Sequence, residues 1–268
     1  MSSYTKILSG LSVKILTFTG YFNNFSMYQK TNQLIHYDMK MSEMILENPY
    51  LMLMLEHFGI GLAVQEKTIE EICLEHSIDV TLFLTFANLF NGFDAYDSKE
   101  SSTRDIPTII HYLKTSHHYY LDEKLPKIRS YIRQMNEINN HSEMFLAEKF
   151  FNEYCNEITE HLTYENEVVF PFFMDLYRHL SSDEPKKYPK SYSAADYKEH
   201  HNDIEEKLTD LKNLLIKYLP QKEDQQIRRK LLFSLFELEY DLNIHSRIED
   251  KILVPLVELM ESKLEPGI

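Results

Sequence analysis

Tryptophan is absent from this chain, glycine occurs only six times and cysteine twice. So few glycines leave little provision for tight turns, and alongside many Glu, Lys, Leu and Ile residues the scarcity points to helix. Cys73 and Cys155 sit in unrelated contexts and form no CxxC pair, which argues against a disulfide framework and for a reducing compartment, read here as the cytoplasm. No apolar run reaches the length needed to span a membrane. A basic stripe is also missing, and the net charge of −14 argues against a nucleic-acid partner. Residues 6–22 are mildly apolar, but Lys14 interrupts them and no small-residue cleavage site is evident. A secretory signal is therefore not expected, and residues 1–40 read as an N-terminal extension.

What the chain does have is size and helical periodicity. Its 268 residues and 43% hydrophobic content suffice for one large domain or two small ones. Residues 41–96 read as a small helical domain. Pro49-Tyr50 leads into an apolar helix that ends at Gly59, and Thr68 with Glu71 has the pattern of a capping box. The polar stretch Asp97–Asp105 reads as a linker in which few contacts are expected. Over residues 105–263, four amphipathic stretches follow at 106–136, 142–178, 194–218 and 223–263. Short connections favour antiparallel neighbours, so the expected fold is all-α: an up-down-up-down four-helix bundle preceded by the small helical domain.

One motif occurs twice in the bundle. Glu157, His161, Glu165 and Pro171 have the same spacing as Asp241, His245, Glu249 and Pro255. Residues four apart share a helix face, so each copy offers an imidazole and a carboxylate to one point. The acids one turn earlier, Glu157 and Asp241, are placed to hold the other ring nitrogen. The first and third helices each carry a His pair. Apolar residues follow His118 at +3, +7, +10 and +14, and follow His201 at the same offsets, whereas His117 reaches Tyr120 and Lys124. Regular helical periodicity thus turns His118 and His201 to the core and leaves His117 and His200 at a rim. A single buried histidine is usually a hydrogen-bonded core residue. Six ligand-type groups in a two-fold pattern are different, because burying them unpaired would cost several kcal/mol, in the order of magnitude of about 2–7 per polar group. The predicted ligands are His118, His161, Glu165, His201, His245 and Glu249. Imidazole with carboxylate suits iron, manganese or zinc.

The segments HLTYENEVVFP and HSRIEDKILVP, together with HHYYLDEKLPKI and EHHNDIEEKL, resemble the hemerythrin-like bundle of the repair-of-iron-centres family. The resemblance covers about residues 105–258. It implies two iron ions per chain, oxo- or hydroxo-bridged, with Glu165 and Glu249 as bridging carboxylates. It also implies a protein of nitrosative and oxidative stress that repairs iron-sulfur centres, with O2 or NO as a small ligand and iron-sulfur proteins as partners. An O2- or NO-sensing protein and a di-iron peroxidase or NO reductase are the competing functions. Residues 55–73, LEHFGIGLAVQEKTIEEIC, resemble the family's short N-terminal domain more weakly. That domain usually has an adjacent cysteine pair where this chain has Ala63-Val64, so a docking or homodimerisation module is the safer expectation there.

Overall fold

The computed structural model describes residues 33–93, 102–139, 142–182, 193–200, 206–219 and 223–264. The proposed extension, most of the linker and His201 lie outside or largely outside that set. The described residues are helical throughout, apart from connections and one isolated bridge between Lys40 and Thr68. The fold is all-α.

Four short helices form the N-terminal unit: α1 (Met41–Glu47), α2 (Leu51–His57), α3 (Ile69–His76) and α4 (Val80–Phe90). Their ends follow from local chemistry. Gly59 takes φ +72, which closes α2 with Ile60 N–H donating to the Leu55 carbonyl and Gly59 N–H to that of Glu56. That paired geometry favours glycine at the left-handed position. The Thr68 hydroxyl accepts from Glu71 N–H while the Glu71 carboxylate accepts from Thr68 N–H, so the capping box opens α3. The Asp79 carboxylate accepts from the Thr81 and Leu82 amides to start α4.

The bundle follows as α5 (106–139), α6 (142–180), α7 (Ala194–His200), α8 (206–218) and α9 (225–264). The second half of α5 packs against the first halves of both α6 and α9, while α8 lies between α6 and α9. The last part of α6 meets the first part of α5 and the end of α9, and α7 also packs on that end of α9.

Each long bundle stretch contains a π-helical turn: Tyr119–Lys124, Glu165–Val169, Leu214–Tyr218 and Glu249–Leu253. The sequence after each is the same in kind, Leu125-Pro126, Phe170-Pro171, Leu219-Pro220 and Val254-Pro255. The residue before the proline donates its N–H to the carbonyl five back: Tyr120, Glu165, Leu214 and Glu249 respectively. Proline offers no N–H, and in a regular helix its ring strikes the carbonyl four back. At Pro126, Pro171 and Pro255, widening the preceding turn by one residue accommodates the ring. Pro171 and Pro255, expected from sequence to bend or end their helices, are instead passed by helices that run on to Leu180 and Leu264.

Two apolar clusters result. One joins the N-terminal unit to one end of the bundle, through residues such as Phe58, Phe86, Tyr112, Leu113, Val169 and Ile248. The other fills the opposite end, including Tyr120, Ile128, Leu162, Leu235 and Leu242. A buried polar layer lies between them.

Candidate metal centre

That layer is made by His117, Glu165, His245 and Glu249, all buried, with one ligand atom from each within 4.8 Å of every other. α5 supplies the first, α6 the second and α9 the last two. Glu165 and Glu249 each occupy the first position of a π turn, four residues after a histidine. His161 Nε2 lies 3.1 Å from Glu165 Oε1 at the edge of the group.

The geometry corrects one ligand and both rear acids expected from sequence. His118 is turned to solvent, with its side chain 79% exposed and Nδ1 3.4 Å from Asp122. His117, 1% exposed, takes the inward place. The cause is the π turn at Tyr119–Lys124, which inserts one residue between the histidines and the apolar stripe at Leu125, Ile128 and Ile132. One residue is about 100° of helical rotation, enough to exchange adjacent side chains across the core boundary. A signal for this was present in spacing: His117 to His161 and His201 to His245 are both 44 residues. Glu157 does not hold His161, because it is half exposed and pairs with Lys207. Asp241 is buried, but its Oδ2 takes a hydrogen bond from His57 Nε2 of the N-terminal unit at 2.8 Å. The position predicted at His201 lies outside the described residues.

Neighbouring side chains set the tautomers. The Ser116 hydroxyl donates to the Leu113 carbonyl at 2.7 Å, so towards His245 Nδ1, 3.0 Å away, it acts as acceptor. His117 Nδ1 lies 3.1 Å from the carbonyl oxygen of Asn166. Both rings therefore carry hydrogen on Nδ1, and in the neutral form each turns an Nε2 lone pair inward. Those two Nε2 atoms are 3.3 Å apart. Glu165 Oε2, buried without a hydrogen bond, lies 3.5 Å from His117 Nε2. Tyr197 on α7 donates to Glu165 Oε1 at 2.9 Å. Ser116, Asn166 and Tyr197 were not picked out from sequence, since nothing in their spacing marks them.

The electrostatics describe a site short of positive charge. Burial, followed by the charge of Glu249, raises the Glu165 carboxyl above the ordinary carboxylate range. Burial, then His245, holds His117 well below the usual imidazole value. Burial also pulls on His245, but the charge and hydrogen bond of Glu249, with Glu165 and Asp241, outweigh it and carry this ring above its ordinary value. A proton on His245 thus takes the place a cation fits. Two inward lone pairs and two carboxylates at these distances form a nitrogen–oxygen donor set suited to a divalent transition metal.

No family model matches the sequence. Over 151 residues the chain is 23% identical to the iron-sulfur cluster repair protein ScdA of Staphylococcus haemolyticus (strain JCSC1435), a similarity that covers 56% of this chain and 66% of that relative.

Proposed function

We propose that the chain is a non-haem iron protein that acts in repair of iron-sulfur centres under nitrosative and oxidative stress. The observation that carries this reading is the inward pairing of His117 Nε2 and His245 Nε2 at 3.3 Å beside two buried carboxylates. The similarity to a protein named for iron-sulfur cluster repair supports the choice of iron. In this reading His117, Glu165, His245 and Glu249 hold the metal, with His161 and His201 completing the set for two ions per chain. Iron held there would supply redox chemistry and affinity for a diatomic ligand such as O2 or NO. The protein's own part is to fix the ring tautomers through Ser116 and Asn166, to restrain Glu165 through Tyr197, and to keep bulk water out with the flanking apolar clusters.

Elemental analysis of anaerobically purified protein, with optical spectra before and after O2 or NO, tests the centre. About two irons per chain is the expected count for six ligands with two bridging carboxylates. Zinc alone, or no metal in cells with ample iron, would sink the reading. Faster recovery of a nitric-oxide-damaged iron-sulfur enzyme on adding the loaded protein tests repair itself.

One observation favours a sensing role as the second reading. The N-terminal unit has no thiol at Ala63-Val64, and the Cys73 thiol is buried and pushed up to about 12 by burial, then by Asp79 and Glu70. Thiol-assisted delivery therefore has no reactive group in this unit. A unit that responds to ligand at the centre needs none.

A further inference from the structure

His57 is the last residue of α2, yet it lies among bundle side chains and is fully buried. Its Nε2 donates to Asp241 Oδ2 at 2.8 Å, a contact between residues 184 apart in sequence. Asp241 stands one turn before His245 on α9. Between the two imidazoles lies Tyr120, fully buried. Its ring meets His57 edge-on at 6.2 Å and His245 edge-on at 5.8 Å. Its hydroxyl is buried without a hydrogen bond, so the ring contacts alone join it to both imidazoles, and Ser116 is the acceptor for His245 Nδ1. An unbroken series of contacts therefore runs from the N-terminal unit to a ring of the metal centre. The equivalent acid in the other motif, Glu157, is half exposed and pairs with Lys207 among the described residues, so the pseudo-symmetry of the two copies is broken at this point.

We infer that His57 is a positioning residue of the metal centre: by holding Asp241 and bracing Tyr120, it fixes the orientation of His245 towards the metal. The inference rests on the iron-binding reading above for its consequence, and on the packing alone for its geometry. Docking of the N-terminal unit and the shape of the donor set are then one event. Displacing α2 leaves Asp241 without its imidazole and removes one wall from Tyr120, so His245 loses the restraint on the side away from Ser116. Outer partners of metal-bound histidines act in this way, and their loss costs roughly 10- to 100-fold in metal affinity.

A purely structural role makes a different forecast, which the full-length chain can test. His57→Phe removes the donor and leaves a buried carboxylate unpaired, so both melting temperature and iron affinity should fall. His57→Phe combined with Asp241→Leu removes both members of the pair and should regain most of the lost melting temperature. If the pair positions His245, iron affinity in this double variant stays down by about tenfold or more. The ring-nitrogen NMR signals of His245 in the metal-free protein also stay displaced from those of the wild type. His57→Gln, which keeps an N–H donor, should return those signals towards the wild-type positions. Wild-type affinity and wild-type His245 signals in the double variant would overturn the inference and leave the pair a packing contact. Should the double variant not regain its melting temperature, His57→Gln decides: recovered His245 signals support the inference and unrecovered ones overturn it. A wild-type chain that takes up no iron would defeat the proposed function, while the metal-free spectra would still decide this point.

Discussion

His117 and His118 are adjacent, and the fold gives them opposite surroundings. The first faces Glu165 and His245 in the buried layer, the second Asp122 at the surface. His117→Ala should therefore lose most iron binding, while His118→Ala should titrate with iron as the wild type does; equal losses in the two variants would contradict the geometry. Glu165 carries a second residue-level prediction. Its carboxyl is raised by burial and then by Glu249. A raised carboxyl contributes stability that is complete below the unfolded value of about 4.3 and is lost as pH rises through the folded value. In metal-free protein the melting temperature of wild type should fall relative to Glu165→Gln as pH climbs above that unfolded value, and the two should converge at lower pH. Iron should reverse the order at neutral pH, because Gln cannot offset the cation. Melting curves across pH, with and without iron, read both effects.

The helices themselves were largely legible in the sequence, because amphipathic periodicity over long stretches gives a strong signal. The doubled motif marked Glu165, His245 and Glu249, which lie buried in one layer, while regular periodicity was what oriented the histidine pairs. It misplaced His117 because a rule of 3.6 residues per turn cannot register a widened turn between a histidine and the stripe used to orient it. The prolines were visible, but their offset from the π turns acquires meaning only once the hydrogen bonds are known. Asp241 and His57 illustrate a different limit. Their partnership spans two units, and no local pattern encodes it. An element-level prediction follows from the prolines. Pro126→Ala removes the ring that the Tyr119–Lys124 turn accommodates, and a regular helix there would turn His117 away from the stripe by about 100°. Iron affinity should drop while helical content by circular dichroism holds. A variant with unchanged affinity would show that packing of Tyr120 and Lys124 maintains the wide turn without the proline.

At the scale of the whole chain, the N-terminal unit shares one core with the near end of the bundle. Tyr112 of α5 packs against Phe58 and Phe86 at ring-centre distances of 4.8 Å, Tyr50 stacks on Tyr240 at 4.2 Å, and the Tyr240 hydroxyl donates to the Phe90 carbonyl. With all six predicted ligands in residues 105–263 and a polar linker before them, the sequence predicts a bundle that folds and keeps its iron alone. The seam argues otherwise, since each large apolar side chain uncovered forfeits roughly 1.5–3 kcal/mol. A chain starting at residue 97 should melt at lower temperature, expose apolar surface to a hydrophobic dye and hold iron more weakly. Unaltered melting and iron content would mean that the seam contributes little.

Three of the widened turns, those that begin at Tyr119, Glu165 and Glu249, lie at the level of the buried polar layer, each followed by a proline. A helix can ratchet past its neighbours by one turn, about 5.4 Å, only if each turn can take the place of the next. Here it cannot: a proline ring and its five-residue hydrogen bond have no counterpart one turn up or down, and the bulge they make fits its neighbours at one height. Piston-like sliding of α5, α6 or α9 is thereby closed to this bundle. Any change at the centre that is to be felt elsewhere must travel sideways, by rotation of side chains such as Tyr120 or by parting of the α2 seam, and never along the helix axes.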